Sequence, residues 1–410
     1  MREKWGNRIG AIVLACALTM SGLPVQSIST STRKAYAAAK SETEKQDVSQ
    51  PETKMGNVVL NGNDIAVNNV NGLTYKGFGM LSGNSTSDLL MDYKAEQPKA
   101  YAELMQYLFG GNYPIMNHVK LEMGNDRNTS TGPESCTKRT EKEKANVLRN
   151  PGWQLAADAK KINPKIKVSI LRWEAPVWAG TDEKIYQWYK ETILDAYEKY
   201  GYMVDYINPN INEQWDVDSD VAFTKKFAKW IAAETKETIP DEKALALYHK
   251  IKLVVSDEAG TASDSVVESM KSDSDFYNSV DVVGYHYSPW DDSNGGMKWL
   301  AQTKDKEVWN SEAQATFSNS AFRPSNNVKD PTTEGTGLGG TGSALEMANT
   351  FIKGFVQSRR SHVIYQPAIG SFYEGAQFSF KELVSARDPW SGWIHYDAGL
   401  LMLAHISKFA

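Results

Sequence analysis

Eight short apolar runs recur along the chain, at residues 75–82, 118–123, 167–172, 206–211, 253–257, 280–286, 307–311 and 363–369. Between them lie stretches whose apolar residues return every three or four positions, at 100–109, 144–161, 184–200, 220–238, 263–272 and 343–359. In the third of these, Ile185, Trp188, Tyr189 and Ile193 share one face, as a helix with one buried side requires. Strands separated by amphipathic helices pair in parallel, and eight such units predict a (β/α)8 barrel. A doubly wound open sheet is the alternative, but no Gly-rich phosphate loop follows any strand, and Gly77-Phe78-Gly79 lacks the rest of the dinucleotide fingerprint. The apolar stretch 398–409 is expected to close the barrel. Residues 318–342, rich in Asn, Pro, Thr and Gly, are too long for an ordinary connection and predict an excursion over the rim.

Two of the runs end in a glutamate: Ile207-Asn208-Pro209-Asn210-Ile211-Asn212-Glu213 and Val308-Trp309-Asn310-Ser311-Glu312. In a parallel barrel the C-terminal strand ends converge on one rim, so these carboxylates would face a shared substrate. A carboxylate pair across a sugar ring is the machinery of glycoside hydrolysis. Asn212 is placed to bond the sugar 2-hydroxyl, a contact that strengthens in the transition state. His286 closes the sixth run and would either bond a catalytic carboxylate or sit satisfied in the core. Glu174 and Glu258, also at strand ends, are the runners-up for the carboxylate roles, and Glu122 inside the second run predicts a buried ion pair or hydrogen-bond network.

Composition narrows the class without naming a substrate. The 410 residues are 41% hydrophobic, enough for a substantial core. Lys+Arg 45 against Asp+Glu 50 gives no global field favouring nucleic acid or an anionic membrane. Trp 12 and Tyr 19 suit both core packing and stacking on sugar rings. The N-terminus reads as a secretory leader over residues 1–39: a basic Met1–Arg8 segment, an apolar run at 9–23, and small residues Ala35, Ala37, Ala38 and Ala39 at the cleavage site. The apolar run falls short of the roughly 20 residues that span a bilayer, so a soluble, secreted protein with no retained span is expected. Cys16 lies in the leader and leaves Cys136 alone, which predicts no internal disulfide and no cysteine metal cluster. Residues 40–56 are polar and aperiodic, a disordered linker, with a short strand at 58–60 opening a catalytic domain over 57–410.

In order along the chain, Gly77-Phe78-Gly79 with Ser82-Gly83, Asn212-Glu213, Ser256-Asp257, Gly284-Tyr285-His286-Tyr287, Trp309-Asn310-Ser311-Glu312 and Asp388-Pro389-Trp390-Ser391-Gly392 resemble the pattern of the galactocerebrosidase family of glycoside hydrolases. The resemblance runs from about residue 74 to the C-terminus. It implies a retaining β-galactosidase without cofactor or metal, acting on a carbohydrate or glycolipid, with Glu213 as acid/base and Glu312 as nucleophile. It also implies sugar contacts from Trp173, from Thr129 and Ser130 where the family has a threonine pair, and from Tyr365 and Tyr373. The family continues into a β-sandwich and a lectin-like domain, which leaves either a minimal or a truncated barrel, with room for a sandwich remnant at the N-terminus. A family arginine that reaches the sugar from beyond the barrel has no counterpart in the matched segment. Two readings stay open beside the galactosidase: a barrel hydrolase of another β-glycoside, of the glucosylceramide or xylan type, and a non-catalytic carbohydrate-binding barrel.

Overall fold

The computed structural model describes residues 74–83, 86–127, 134–258, 262–287, 295–304, 306–313, 344–357, 359–371, 383–386 and 388–409. The leader, the linker, the strand at 58–60 and the excursion at 318–342 lie outside these residues, as do Thr129, Ser130 and Tyr373. Within them, eight parallel strands form a closed barrel in sequence order. They are β1 (Gly77–Leu81), β2 (Met116–Glu122), β3 (Lys167–Arg172), β4 (Tyr206–Ile211), β5 (Lys252–Glu258), β6 (Val282–His286), β7 (Glu307–Ala313) and β8 (His362–Tyr365), and β8 pairs back onto β1.

Alternation along each strand sorts the core into two layers. Leu81, Leu171, Tyr206, Val254, Val282, Trp309 and Ile364 fill the barrel interior. Phe78, Met80, Val119, Ile170 and Val363 point outward into the layer shared with the helices. Toward the barrel floor two histidines join the interior, His118 Nδ1 lying 3.0 Å from His362 Nε2 and its Nε2 2.8 Å from Ser169 Oγ.

The helices begin where capping chemistry dictates. Asp182–Tyr200 starts after Thr181, whose side chain accepts from the Lys184 amide, and stops at left-handed Gly201. The expected helix at 144–161 begins later, at Pro151: Asn150 caps it, and a short 3-10 turn, Val147–Arg149, takes up the preceding residues. The 220–238 segment shifts toward the N-terminus, to Val217–Ala233, capped by Asp216. Short helices at Glu242–Tyr248 and Ser274–Ser279 carry too few periods to show in the sequence pattern.

Two expectations change. The last apolar run does not continue as one strand to 369: β8 ends at Tyr365, ahead of Pro367, which has no N–H for a ladder. Ile369–Ser371 instead becomes β9, in a three-stranded sheet with β10 (Val384–Ala386) and β11 (Ile394–Tyr396). The stretch expected to close the barrel is a helix, Ala398–Phe409, lying outside it. It buries Leu400 and Leu403, and its Ser407 Oγ meets Tyr75 Oη at 3.2 Å, while closure is completed by the β1–β8 pairing itself.

Candidate active site

The C-terminal ends of β4, β5, β6 and β7 are where the strand geometry breaks. Pairing register shifts between Ser256 and Glu258, between Tyr285 and His286, and between Asn310 and Ala313, bulges that re-aim side chains at a rim. Four non-glycine residues with left-handed backbone gather here: Glu213 (φ 56), Ser256 (φ 75), Asp257 (φ 43) and Tyr287 (φ 60). Such conformations cost of order 1–3 kcal/mol each and persist where surrounding contacts hold them. The Glu213 N–H donates to Asp257 O at 2.9 Å, and the Tyr287 N–H to Glu312 O at 2.9 Å. Gly284 makes the floor of this corner possible: a Cβ there would stand 2.5 Å from Ser311 Oγ and 2.7 Å from Asp257 Oδ1.

This corner brings Glu213 and Glu312 together. One carboxylate oxygen from each, and a ring nitrogen of His286, all lie within 4.8 Å of one another. Glu312 is buried, and its Oε1 accepts from Tyr287 Oη and from Gln366 Nε2, the latter at 3.2 Å. Its Oε2 has no hydrogen-bond donor among the described residues. Glu213 keeps part of its side chain open, 27% exposed, with Oε1 at 3.0 Å from His286 Nδ1. His286 is fully buried, its Nε2 3.3 Å from Asp257 Oδ1. Asp257 in turn accepts from Lys120 Nζ at 3.0 Å and from Asn208 Nδ2 at 2.8 Å.

Electrostatics follow from this chain of alternating charge. Burial favours the neutral ring of His286, yet the Glu312 charge and the bonds to Asp257 and Glu213 raise its pKa to about 9. Burial pushes Glu213 up, but the hydrogen bond and charge of His286, with Tyr287 and Lys120, outweigh it and hold the carboxyl below its ordinary range. Burial opposes ionisation of Asp257 too, and Lys120 and His286 reverse that strongly. Glu213, His286 and Glu312 are close enough to ligate a cation. Both ring nitrogens of His286 already face carboxylates, however, so an ion would have to displace a proton.

The remaining expected residues divide. Asn212 is buried at the end of β4, with its N–H on Arg172 O at 2.9 Å and neither side-chain polar atom partnered among the described residues. Trp173 is half-buried after β3 and donates its indole N–H to Glu122 Oε1 at 3.2 Å. Burial pushes Glu122 up to about 7 against that bond, and the Glu312 charge adds to the rise. Tyr365 corrects the expectation made for it: alternation in β8 turns Ile364 inward and Tyr365 outward, where its ring packs on Phe78 at 6.0 Å in the helix layer. The neighbouring Gln366 reaches Glu312 instead. Of the runners-up, Glu174 is exposed and paired with Arg127 at 2.6 Å, and Glu258 accepts the Trp215 N–H at 2.9 Å.

Lys120 and Gln366 were not singled out from sequence, and Asp257 and Tyr287 stood there only as parts of the family pattern, without a role. A lysine in the middle of a buried barrel strand was the available signal, since it demands a buried anion. A cavity of about 560 Å³ opens at the other end of the barrel, against Lys160, Lys167, Tyr202, Asp205, Lys250 and Lys252. It brings no carboxylate pair together, so the chemistry is assigned to the glutamate rim.

A closed parallel barrel with a carboxylate pair at the ends of β4 and β7 is the frame of the (β/α)8 glycoside hydrolases. Solved structures agree on the fold: SrfJ from Salmonella typhimurium superposes with a TM-score of 0.61 at 13% identity, covering 82% of this chain and 75% of that one. The catalytic domain of GH30 xylanase C from Talaromyces cellulolyticus gives 0.56 at 12%, covering 82% and 76%. By sequence, the chain is 25% identical over 352 residues to galactocerebrosidase of Danio rerio, covering 82% of this chain and 45% of the fish protein. It is 27% identical over 342 residues to galactocerebrosidase of Homo sapiens, covering 82% and 44%. The chain thus spans about half the length of the curated relatives it matches. The profile of glycosyl hydrolase family 59 matches residues 75–408, and the chain belongs to that family.

Proposed function

We propose that this barrel is the catalytic unit of a retaining glycoside hydrolase that cleaves terminal β-galactosides, with Glu312 as nucleophile and Glu213 as acid/base. The observation that carries the reading is the short reach between the two carboxylates, within 4.8 Å oxygen to oxygen. A retaining enzyme holds its carboxyl groups about 5–5.5 Å apart, whereas an inverting one needs roughly 6.5–9.5 Å to seat a water. The division of labour rests on the donors. Tyr287 and Gln366 both grip Oε1 of Glu312, which leaves Oε2 for the anomeric carbon. Glu213, partly open and bonded to a proton-bearing ring, suits exchange of a proton with the leaving group.

In this scheme the glycosidic oxygen takes a proton from Glu213 as Glu312 bonds to C1, and a water deprotonated by Glu213 then releases the sugar with its configuration kept. Asn212 supplies the open amide for the 2-hydroxyl. The galactoside preference is supported by the printed names of the relatives. Secretion after removal of residues 1–39 belongs to the same reading, and no helix among the described residues is long and apolar enough to cross a membrane. Aryl β-glycosides screened with the purified protein, beside Glu312→Gln, test it. The galactoside should turn over fastest, with initial product of β configuration and none from the variant. A faster glucoside or xyloside would reassign the sugar, and no turnover of any would favour a binding barrel.

A further inference from the structure

We propose that His286 is the proton store of Glu213: its imidazolium holds between turnovers the proton that Glu213 delivers to the leaving group, and takes it back when the glycosyl-enzyme is hydrolysed. The proposal rests on the retaining reading given above and assigns His286 a positioning and proton-holding role through Glu213 rather than a contact with the sugar.

With Glu213 and Asp257 both ionised, the geometry calls for two N–H groups on this ring. Nδ1 stands 3.0 Å from Glu213 Oε1 and Nε2 3.3 Å from Asp257 Oδ1, with Glu312 Oε2 a further 3.8 Å from Nδ1. Against two ionised carboxylates a neutral imidazole, which has one N–H, would turn a bare lone pair onto one of their oxygens. The ring is 0% exposed, so no bulk water relieves that contact. The charged groups facing it come from every neighbouring strand: Glu213 after β4, Asp257 on β5, Glu312 on β7 and Lys120 on β2 behind Asp257, with the Tyr287 hydroxyl beside Glu312. Two cations against three carboxylates leave the array one net negative charge.

The first half-reaction preserves that balance. The proton passes from His286 Nδ1 to Glu213 Oε1 and on to the glycosidic oxygen, the bond from C1 to that oxygen breaks, and Glu312 Oε2 bonds to C1. His286 and the esterified Glu312 are then neutral, Lys120 faces Asp257 and Glu213, and one net negative charge remains. The Glu312 charge that helps hold the proton on the ring disappears in the same step that removes the proton. In the second half-reaction a water attacks C1, its proton goes to Glu213 Oε1 and returns to Nδ1, and the Glu312 carboxylate re-forms. This also accounts for an acid/base residue whose own carboxyl sits below its ordinary range: the pair titrates as a unit.

The test uses the intact protein labelled with ¹⁵N in its histidines. At neutral pH one buried ring should show both nitrogens protonated, and trapping the enzyme with 2-deoxy-2-fluoro-β-galactosyl fluoride should convert that ring to the neutral form. His286→Asn, which keeps a donor for Glu213 but stores no proton, assigns the signal and gives the kinetic arm. Its alkaline limb in kcat/KM should move down by about one unit or more, with at least a tenfold loss on an alkyl galactoside and little on a dinitrophenyl one. A neutral ring in the resting enzyme, or an imidazolium that persists in the trapped one, overturns the proton store alone. So does an equal loss on both leaving groups with an unmoved alkaline limb. If Asn at 286 prevents folding, the spectra of the native protein still decide. Failure of any glycosyl fluoride to label Glu312 sinks the retaining reading and this proposal with it.

Discussion

Lys120→Met should be among the most destabilising single changes in the barrel that leave its shape filled. Lys120 is 3% exposed and Asp257 1%, with Nζ 3.0 Å from Oδ1. Two unit charges at that distance attract by roughly 5 kcal/mol at an effective dielectric of about 20. Both ions surrendered several kcal/mol on leaving water, so the intact pair nets little, but removing one partner strands the other at about 3–5 kcal/mol. Asp257 would then keep Asn208 and His286, the latter also shared with Glu213, and the Ser311 hydroxyl. At about 2.1 cal/mol/K of unfolding entropy per residue over the matched segment 75–408, that loss corresponds to a fall in Tm of roughly 4–7 °C. Urea unfolding at low salt and at high salt is the assay, because a pair this deep is not screened. The half-exposed Lys226–Asp182 pair, at 2.7 Å, is the control, whose loss should leave stability nearly unchanged and depend on salt. A loss under about 1 kcal/mol for Lys120→Met, or one that vanishes in high salt, would refute the assignment of Lys120 as the counter-charge of the site.

Four shorter expectations accompany it. Glu312→Ala should abolish turnover for every leaving group and be rescued by azide to an inverted product; Glu213→Ala should spare activated aryl galactosides and give a retained azide product, and identical behaviour of the two would reverse the roles. Tyr287→Phe removes a donor to the Glu312 carboxylate, worth about 1.5–3 kcal/mol, so kcat should fall roughly 10- to 150-fold with the fold unchanged by circular dichroism. The floor histidines set an acid limit: burial holds His362 down to about 4 and His118 well below its usual value, while the unfolded chain takes up these protons below about 6.5. Stability is therefore lost as pH falls from about 6.5 toward 4, by roughly 3 kcal/mol for His362 alone, and unfolding curves of His362→Asn should be flatter across that window. Sequencing of secreted material should find a new N-terminus near residue 40, and an intact Met1 or a wholly membrane-bound product would refute export.

The strands were legible because a barrel wall writes itself plainly: each is short, apolar and bounded, and all eight fall within a few residues of their expected places. The errors have local causes. Pro367 splits the last run, and Asn150-Pro151 restarts a helix whose periodicity looked continuous through the preceding 3-10 turn. Tyr365, expected at the sugar from the family resemblance, faces out of the barrel because successive residues of a strand point to opposite faces. The glutamate pair could be seen because strand ends are fixed points of the fold. Gln366, one residue beyond such an end, could not, because a turn decides where its amide points.

What the sequence could not convey is that the two halves of the site share one support. Asp257 lends its carbonyl to the Glu213 amide and its carboxylate to His286 and Lys120, while its own backbone sits in the left-handed region. The strained corner and the buried charge array therefore meet in one residue: the carboxylate of Asp257 is held by Lys120 while its carbonyl, in the left-handed region, holds the Glu213 amide. A carboxylate pair at matching strand ends is thus only the visible part of the site. Its working geometry depends on a lysine on β2 and an aspartate on β5, neither of which need touch the sugar.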